Sequence, residues 1–190
     1  MNNHNNSNKK ETKKIKKKNY NNLRIVDIGT GSGCIAISLA LELPASEIFA
    51  TDVSVDALNV AMENACTLNA DVHFEQHNIL ENLLPLSVDV MVSNPPYIAR
   101  HERNGMPANV VDFEPDMALF VSDDNPFIFY ETILYRAKES LLPEGLLAVE
   151  INERYGSEIL GLFKKHGFLS VEIINDVYGK NRIVKGILSS

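Results

Sequence analysis

Residues 23–34, LRIVDIGTGSGC, place a short apolar run directly before three closely spaced glycines. The run has the length and composition of a buried strand. Gly29, Gly31 and Gly33 let the backbone turn tightly and approach a ligand closely. The helix predicted to begin at Ser32 would offer unpaired N–H groups at the same place. The stretch therefore predicts a strand, a glycine loop and a helix in that order.

Strands and helices alternate along the rest of the chain. The predicted strands are residues 23–28, 47–51, 72–76, 88–93, 145–151, 168–174 and 182–188. The predicted helices are residues 32–43, 55–69, 127–141 and 155–166, the second with Ser54 as its N-cap. This alternation implies an α/β fold, a mostly parallel seven-stranded sheet with helices on both faces. The last two strands, joined by a hairpin-like turn, predict an antiparallel C-terminal edge strand.

Charge divides the chain into two parts. Residues 1–22 are rich in Asn and Lys, carry seven Lys and one Glu, and have too few apolar side chains to form a core. They are predicted to be a disordered tail that contacts nucleic acid only non-specifically. Residues 23–190, the predicted domain, carry a net charge of −13, which argues against a body that binds nucleic acid through its phosphates.

The two cysteines and the hydropathy pattern favour a cytoplasmic protein. Cys34 and Cys66 lie in predicted helices without metal-ligand spacing, so no metal site is expected and a reducing compartment suits them. No apolar run approaches the roughly 20 residues that span a bilayer, and the N-terminus has no apolar segment of a secretory signal. No membrane association is therefore expected.

The glycine loop indicates a nucleoside-type ligand. Its spacing is G-x-G-x-G, with Cys34 where the dinucleotide-binding pattern G-x-G-x-x-G would have its last glycine. Asp27, just before the glycines, would repel a pyrophosphate but suits a cationic amino group. This charge argument favours S-adenosylmethionine (SAM) over NAD. The alternative is a plain tight turn.

Two further strand ends carry polar residues that fit such a ligand. Asp52 ends the second predicted strand, where a carboxylate can accept hydrogen bonds from both ribose hydroxyls, or can merely cap the next helix. Asn78 follows the third strand, where an amide can pair with an adenine edge and Ile79 can pack on the ring. Alone, Asn78 would more often be an ordinary loop residue.

The fourth predicted strand ends at Asn94-Pro95-Pro96-Tyr97. Two prolines fix two φ angles and remove two backbone donors, so the chain leaves the sheet in one rigid direction. An amide nitrogen is a poor nucleophile because its lone pair is delocalised. The Asn94 side-chain oxygen and the Pro95 carbonyl could accept hydrogen bonds from both N–H groups of a substrate amide, so that its lone pair points at the methyl group. Tyr97 supplies a flat face for the planar substrate group. A merely rigid turn is the alternative to this catalytic interpretation.

On these residues the chain resembles the HemK/PrmC family, the peptide chain release factor glutamine methyltransferases, which have a Rossmann-like class I SAM-dependent fold and an NPPY motif. The resemblance covers residues 23–188, the catalytic domain only, because family members carry an N-terminal helical docking domain where this chain has 22 residues. It rests on the following stretches: VDIGTGSGCIAISLA (26–40), VSNPPYI (92–98), VVDFEPDMALF (110–120), LLPEGLLAVEI (141–151) and YGKNRIVKG (178–186).

The resemblance implies a reaction and roles for named residues. SAM would methylate the glutamine amide of the Gly-Gly-Gln motif in bacterial-type class 1 release factors. The substrate site is implied to include Asn94, Pro95, Pro96, Tyr97 and Glu114. The SAM site is implied to include Asp27, Gly29, Thr30, Gly31, Ser32, Gly33, Asp52, Asn78, Ile79 and Asn94. The family usually has an acidic residue in place of Asn78 and often an aromatic one in place of Ile79.

Three other interpretations stay open at the level of the sequence. The first is methylation of a ribosomal-protein glutamine. The second is methylation of an exocyclic amine of a nucleic acid, which shares the NPPY chemistry but is expected to need a basic groove or a target-recognition domain. The third is a SAM-binding fragment without turnover.

Overall fold

A computed structural model describes residues 22–99 and 119–189 of the chain. The strands are β1 (Arg24–Ile28), β2 (Glu47–Asp52), β3 (His73–Gln76), β4 (Val88–Ser93), β5 (Ile98–Ala99), β6 (Phe120–Val121), β7 (Leu141–Glu150), β8 (Phe168–Asn175) and β9 (Asn181–Leu188). The helices are α1 (Cys34–Glu42), α2 (Val55–Leu68), α3 (Ile128–Ser140) and α4 (Gly156–Lys165), with a 3-10 turn at Glu153–Tyr155.

Seven strands form one sheet in the order β3-β2-β1-β4-β7-β9-β8. The first five strands in this order pair in parallel, and β9 pairs antiparallel with both β7 and β8. The mostly parallel sheet predicted from the sequence is confirmed, and so is its antiparallel C-terminal pair. The hairpin lays β9 against β7, so β9 lies one position inside the sheet and β8 forms the outer edge.

The sheet buries apolar side chains on both faces, as the strand–helix alternation predicts. On one face Ile25 and Ile48 pack with Ala36 of α1. On the other face Val26 and Ile28 join the larger core, to which α3 and α4 contribute buried side chains: Tyr130, Ile133, Leu134, Ala137, Ile159 and Phe163. Successive side chains of a strand point to opposite faces, which is why neighbouring residues of β1 belong to different clusters.

The fifth strand of the main sheet begins earlier than the sequence predicts. The prediction begins it at Gly145, whereas β7 begins at Leu141, directly after α3. Between them Pro143 has no N–H to pair and Glu144 has a positive φ of 62°, so the ladder shifts register here. Because Pro143 and Glu144 interrupt the apolar pattern, hydrophobic pattern alone does not predict that the strand begins at Leu141.

The long connection predicted at residues 98–126 is described only at its two ends. There β5 and β6 form a two-stranded parallel ladder, and both residues of β6 are buried. Residues 100–118 of the connection and residues 1–21 of the predicted tail lie outside the described residues. In the part of the chain that is described, no helix is both long enough and apolar enough to cross a membrane.

Candidate active site at the carboxyl ends of the strands

The central strands β1 and β4 bring the glycine loop and the NPPY motif side by side. Ile28, the last residue of β1, pairs with Ser93, the last residue of β4. The Ser93 hydroxyl donates a buried hydrogen bond of 2.7 Å to the Ile28 carbonyl oxygen. Gly29 and Asn94 therefore leave the sheet from adjacent positions, at the edge where parallel α/β sheets bind ligands.

Backbone hydrogen bonds hold the glycine loop against the end of β2. The amides of Gly29 and Thr30 both donate to the Thr51 carbonyl, at 2.8 and 2.9 Å. Gly31 has a φ of +56°, and no described atom lies within 4 Å of where its Cβ would be. Gly33 has a φ of +85°, but a Cβ there would lie 3.1 Å from the Ala61 Cβ. The loop is thus open at Gly31 and closely packed at Gly33.

Asp27 is a buried carboxylate beside this loop, with 1% of its surface exposed. Its Oδ2 accepts a 2.7 Å hydrogen bond from the Thr30 hydroxyl, and its Oδ1 has no hydrogen-bond partner among the described side chains and backbone. Burial raises the pKa of Asp27 to about 6, the Thr30 hydroxyl and the Ala36 amide oppose that rise, and the charge of Asp52 adds to it. The Thr30 hydroxyl and the Ala36 amide therefore compensate the charge of Asp27 only in part, and a cation nearby would be stabilised by it.

Asp52 connects the end of β2 to the glycine loop and to α2. Its Oδ2 accepts from the Gly31 amide and its Oδ1 from the Ser54 amide, both at 2.9 Å. The Ser54 hydroxyl caps α2 by accepting from the Ala57 amide at 3.2 Å, so the predicted N-cap is confirmed. Each carboxylate oxygen has a second lone pair, so Asp52 keeps acceptor capacity for a ribose.

Asn78 and Ile79 follow β3 at the same edge of the sheet. The Asn78 side-chain oxygen accepts from the Leu80 amide at 3.1 Å. The Asn78 backbone carbonyl accepts from the amides of Glu81 and Asn82. Ile79 is only 7% exposed and belongs to the larger core cluster. The predicted adenine contacts of these two residues stay predictions, with the Asn78 amide N–H groups as the available donors.

The NPPY motif combines an exposed amide with a fixed aromatic ring. Asn94 is exposed, Pro95 is buried and Pro96 is half-buried. Tyr97 packs against the larger core, and its hydroxyl donates to Glu150 Oε1 at 3.3 Å. Burial and the Glu150 charge raise the pKa of Tyr97, so its hydroxyl stays protonated and can donate a hydrogen bond. The motif therefore offers its polar group outward from a backbone held by the core.

Other predicted site residues lie at or beyond the margin of this region. Ser32 is exposed, and its carbonyl accepts from the Asn64 side chain at 3.0 Å. Glu114 lies outside the described residues, so its predicted part in substrate binding stays a prediction. No group of metal-ligating side chains occurs in the described ranges.

Three residues that contact the candidate site from its own or neighbouring strands were not predicted to belong to it: Ser93, Glu150 and Arg182. Glu150 ends a strand parallel to β4, and an acidic residue at that edge was a signal of the same kind as Asp52. Arg182 was visible within the YGKNR stretch but had no assigned role. The Ser93 bond carried no sequence signal, because it depends on which strand lies beside β4.

The strand order and the ligand-side loops define the class I methyltransferase fold. The structure superposes on a methyltransferase from Pyrococcus furiosus with a TM-score of 0.68 at 20% identity, covering 90% of this chain and 77% of that one. It also superposes on TrmN from Thermus thermophilus with a TM-score of 0.62 at 21% identity, covering 88% and 44%. The predicted fold class is confirmed.

The chain belongs to the methyltransferase small domain family, whose model matches residues 12–111. It is 42% identical to the release factor glutamine methyltransferases of Bacteroides thetaiotaomicron and Flavobacterium psychrophilum, over 90% of this chain in both comparisons. It is also 37% identical to a bifunctional methyltransferase of Rickettsia bellii, over 88% of this chain and 30% of that protein. The chain spans 62% and 60% of the first two relatives, about three fifths of their length.

Proposed function

We propose that this chain transfers a methyl group from SAM to the side-chain amide nitrogen of the Gly-Gly-Gln glutamine in bacterial-type class 1 release factors. The observation that carries the proposal is the adjacency of the glycine loop and Asn94, fixed by the pairing of Ile28 with Ser93. The two relatives that are 42% identical bear the name of this activity, which supplies the substrate.

The residues around the glycine loop fit SAM. The buried carboxylate of Asp27, whose charge is compensated only in part, would attract a cationic amino group. The open side of Gly31 leaves room for a ligand to approach the backbone. Asp52 lies within hydrogen-bonding distance of the Gly31 amide and keeps lone pairs for ribose hydroxyls. Asn78 and Ile79 would meet the adenine.

When bound, SAM supplies an electrophilic methyl group on a sulfonium. The protein must then present an amide nitrogen whose lone pair points at that methyl group. The Asn94 side-chain oxygen and the Pro95 carbonyl oxygen accept hydrogen bonds from the two N–H groups of the substrate amide. These two hydrogen bonds fix the plane of the amide. Because Pro95 is buried, this second acceptor is held in place before substrate arrives. Tyr97 would provide a face for the planar amide. The amide nitrogen would gain the methyl group as the S–CH3 bond of SAM breaks and would lose one proton to solvent, and S-adenosylhomocysteine would be the other product.

The test is mass spectrometry of a bacterial class 1 release factor incubated with this chain and SAM. We expect one methyl group on the Gly-Gly-Gln glutamine, and none with Asn94→Ala. Calorimetry should show that Asn94→Ala keeps most of the SAM affinity, because the variant removes one contact among many. Full activity of Asn94→Ala would contradict the assigned role.

Parallel incubations separate the alternatives. Methylation of a ribosomal protein in place of the release factor would favour the sister glutamine reaction. Methylation of DNA or RNA amines would favour the nucleic-acid reaction, against which the acidic body argues. SAM binding without methylation of any of these would identify a cofactor-binding domain without turnover.

A further inference from the structure

Glu150, at the end of β7, lies between the NPPY motif and the hairpin that joins β8 to β9. Its Oε1 accepts from the Tyr97 hydroxyl at 3.3 Å and lies 3.8 Å from Nη1 of Arg182. Its backbone is fixed from the core side, because the hydroxyl of the buried Tyr130 donates to the Glu150 carbonyl at 3.0 Å. The carboxylate therefore lies at the hydroxyl end of the Tyr97 ring, on a backbone that the core holds in place.

Arg182 links that carboxylate to the hairpin turn. Its Nη2 donates to Oδ2 of Asp176 at 3.1 Å. The other oxygen of Asp176 accepts from the amides of Tyr178 and Lys180, at 2.9 and 3.0 Å, and so closes the turn. One planar guanidinium thus contacts two carboxylates through two nitrogens, a geometry that a lysine cannot reproduce.

The energetics of this chain of contacts point to geometry rather than to stability. The side chains of Glu150 and Arg182 are 30% and 37% exposed. Ion pairs at such exposure contribute little to the free energy of unfolding, since solvent screens them. A comparable pair, Lys185 to Glu172 at 2.7 Å, joins β9 to its other neighbour β8 and has no contact with the NPPY motif. What distinguishes the first pair is its contact with the Tyr97 hydroxyl.

We propose that Glu150 and Arg182 are positioning residues that fix the position of the Tyr97 ring, and so the place of the aromatic face that the NPPY motif offers to the substrate amide. This inference rests on the proposed methyl transfer. The hydroxyl of Tyr97 lies on the long axis of its side chain, so holding that atom fixes the direction of the axis, while packing against the larger core limits rotation of the ring about it. Asp176 places Arg182, and the hairpin turn becomes part of the support of the active site.

The first experiment measures the position of the ring without turnover. With ¹³C-labelled tyrosine, the Tyr97 signal is assigned by its loss in Tyr97→Phe. We expect that signal to move in Glu150→Ala and in Arg182→Met, and to stay in place in the matched control Lys185→Met. An unchanged Tyr97 signal in Glu150→Ala would overturn the proposal.

The second experiment measures release factor methylation. We expect kcat to fall on the order of 10-fold in Glu150→Ala, since small misplacements of reacting groups are costly, with the KM for SAM unchanged. Arg182→Lys should fall between wild type and Arg182→Met, because Lys keeps the charge and loses the bridge. In a Tyr97→Phe background, Glu150→Ala should have no further effect on kcat. A full additional loss there would overturn the assigned route through Tyr97.

The two experiments fail differently. If the wild-type chain methylates no release factor, the proposed function is wrong. The NMR comparison by itself then decides whether Glu150 and Arg182 fix the position of the Tyr97 ring. If wild type is active and Glu150→Ala retains its kcat, the positioning role is wrong and the function stands. Thermal melting of every variant shows whether a loss follows from unfolding, and Lys185→Met provides the reference for removing an ion pair between β8 and β9.

Discussion

The Ser93 hydroxyl donates a 2.7 Å hydrogen bond to the Ile28 carbonyl, and this bond joins the two strand ends that carry the glycine loop and the NPPY motif. Ser93 is 4% exposed, so removing its hydroxyl takes away a hydrogen bond that is shielded from solvent. Ser93→Ala should therefore lower the free energy of unfolding by about 1–2 kcal/mol. Urea unfolding measures this change.

Ser38→Ala is the matched control for that prediction. The Ser38 hydroxyl makes a bond of the same length, 2.7 Å, to the Cys34 carbonyl one turn earlier in α1, but Ser38 is exposed. Alanine is the best helix former, so its effect on the free energy of unfolding should lie within about 0.5 kcal/mol of zero. Equal losses in the two variants would show that burial of the Ser93 bond has no special weight.

Asp27 predicts a distinct dependence of stability on pH. Its folded pKa of about 6 lies above the ordinary value of 3.8, so between these values the folded state holds a proton that the unfolded chain has lost. The contribution of Asp27 to stability therefore falls as pH rises through this window, by about 3 kcal/mol in all. Urea unfolding of wild type and of Asp27→Asn at pH 4, 5, 6 and 7 measures this change. As pH rises, the free energy of unfolding of the variant should increase relative to that of wild type.

The same residue predicts a dependence of SAM affinity on pH. If the cationic amino group of SAM lies near the Asp27 carboxylate, binding favours the ionised carboxylate and lowers its pKa. The affinity of wild type should then rise as pH increases through 6, with release of a proton on binding. Calorimetry in buffers of different ionisation enthalpy measures that proton. An equal pH dependence in Asp27→Asn would remove Asp27 from the contact.

How far the sequence predicted the site depends on whether each contact is local. The glycine loop, Asp27 and Asp52 follow from spacing along the chain, and the Ser54 cap was readable for the same reason. The link from Tyr97 through Glu150 to Arg182 joins residues far apart in sequence, so it exists only once β7 and β9 are placed beside β4. The start of β7 was missed because Pro143 and Glu144 interrupt the apolar pattern that identifies strands.

Asp52 and Ser54 separate ligand binding from helix capping. Asp52→Ala removes the acceptor for the Gly31 and Ser54 amides and any contact with the ribose, so SAM affinity should fall about 10-fold or more, a loss of at least about 1.4 kcal/mol. Ser54→Ala removes the cap of α2 and should cost about 1 kcal/mol of stability, with SAM affinity kept. Calorimetry measures the SAM affinity of both variants, and urea unfolding measures their stability. Unchanged SAM affinity in Asp52→Ala would leave that residue a purely structural acceptor.

Gly31 and Gly33 both have positive φ, yet alanine at the two positions should affect different properties. At Gly31 the added methyl group meets no described atom within 4 Å, so the cost in stability is backbone strain of about 1–2 kcal/mol. That methyl group would occupy the open side of the loop, and SAM affinity should fall about 10-fold.

At Gly33 the added Cβ would lie 2.9 Å from the Ile37 Cδ1 and 3.1 Å from the Ala61 Cβ. The Ile37 tip can rotate away, but the Ala61 Cβ is fixed to the backbone of α2, so α1 and α2 must move apart. Gly33→Ala should therefore lose more stability than Gly31→Ala, by about 1 kcal/mol or more, since overpacking adds to the strain. Urea unfolding of the two variants, with calorimetry of SAM binding to each, measures both effects. A larger loss of stability in Gly31→Ala would contradict the close approach of the two helices at Gly33.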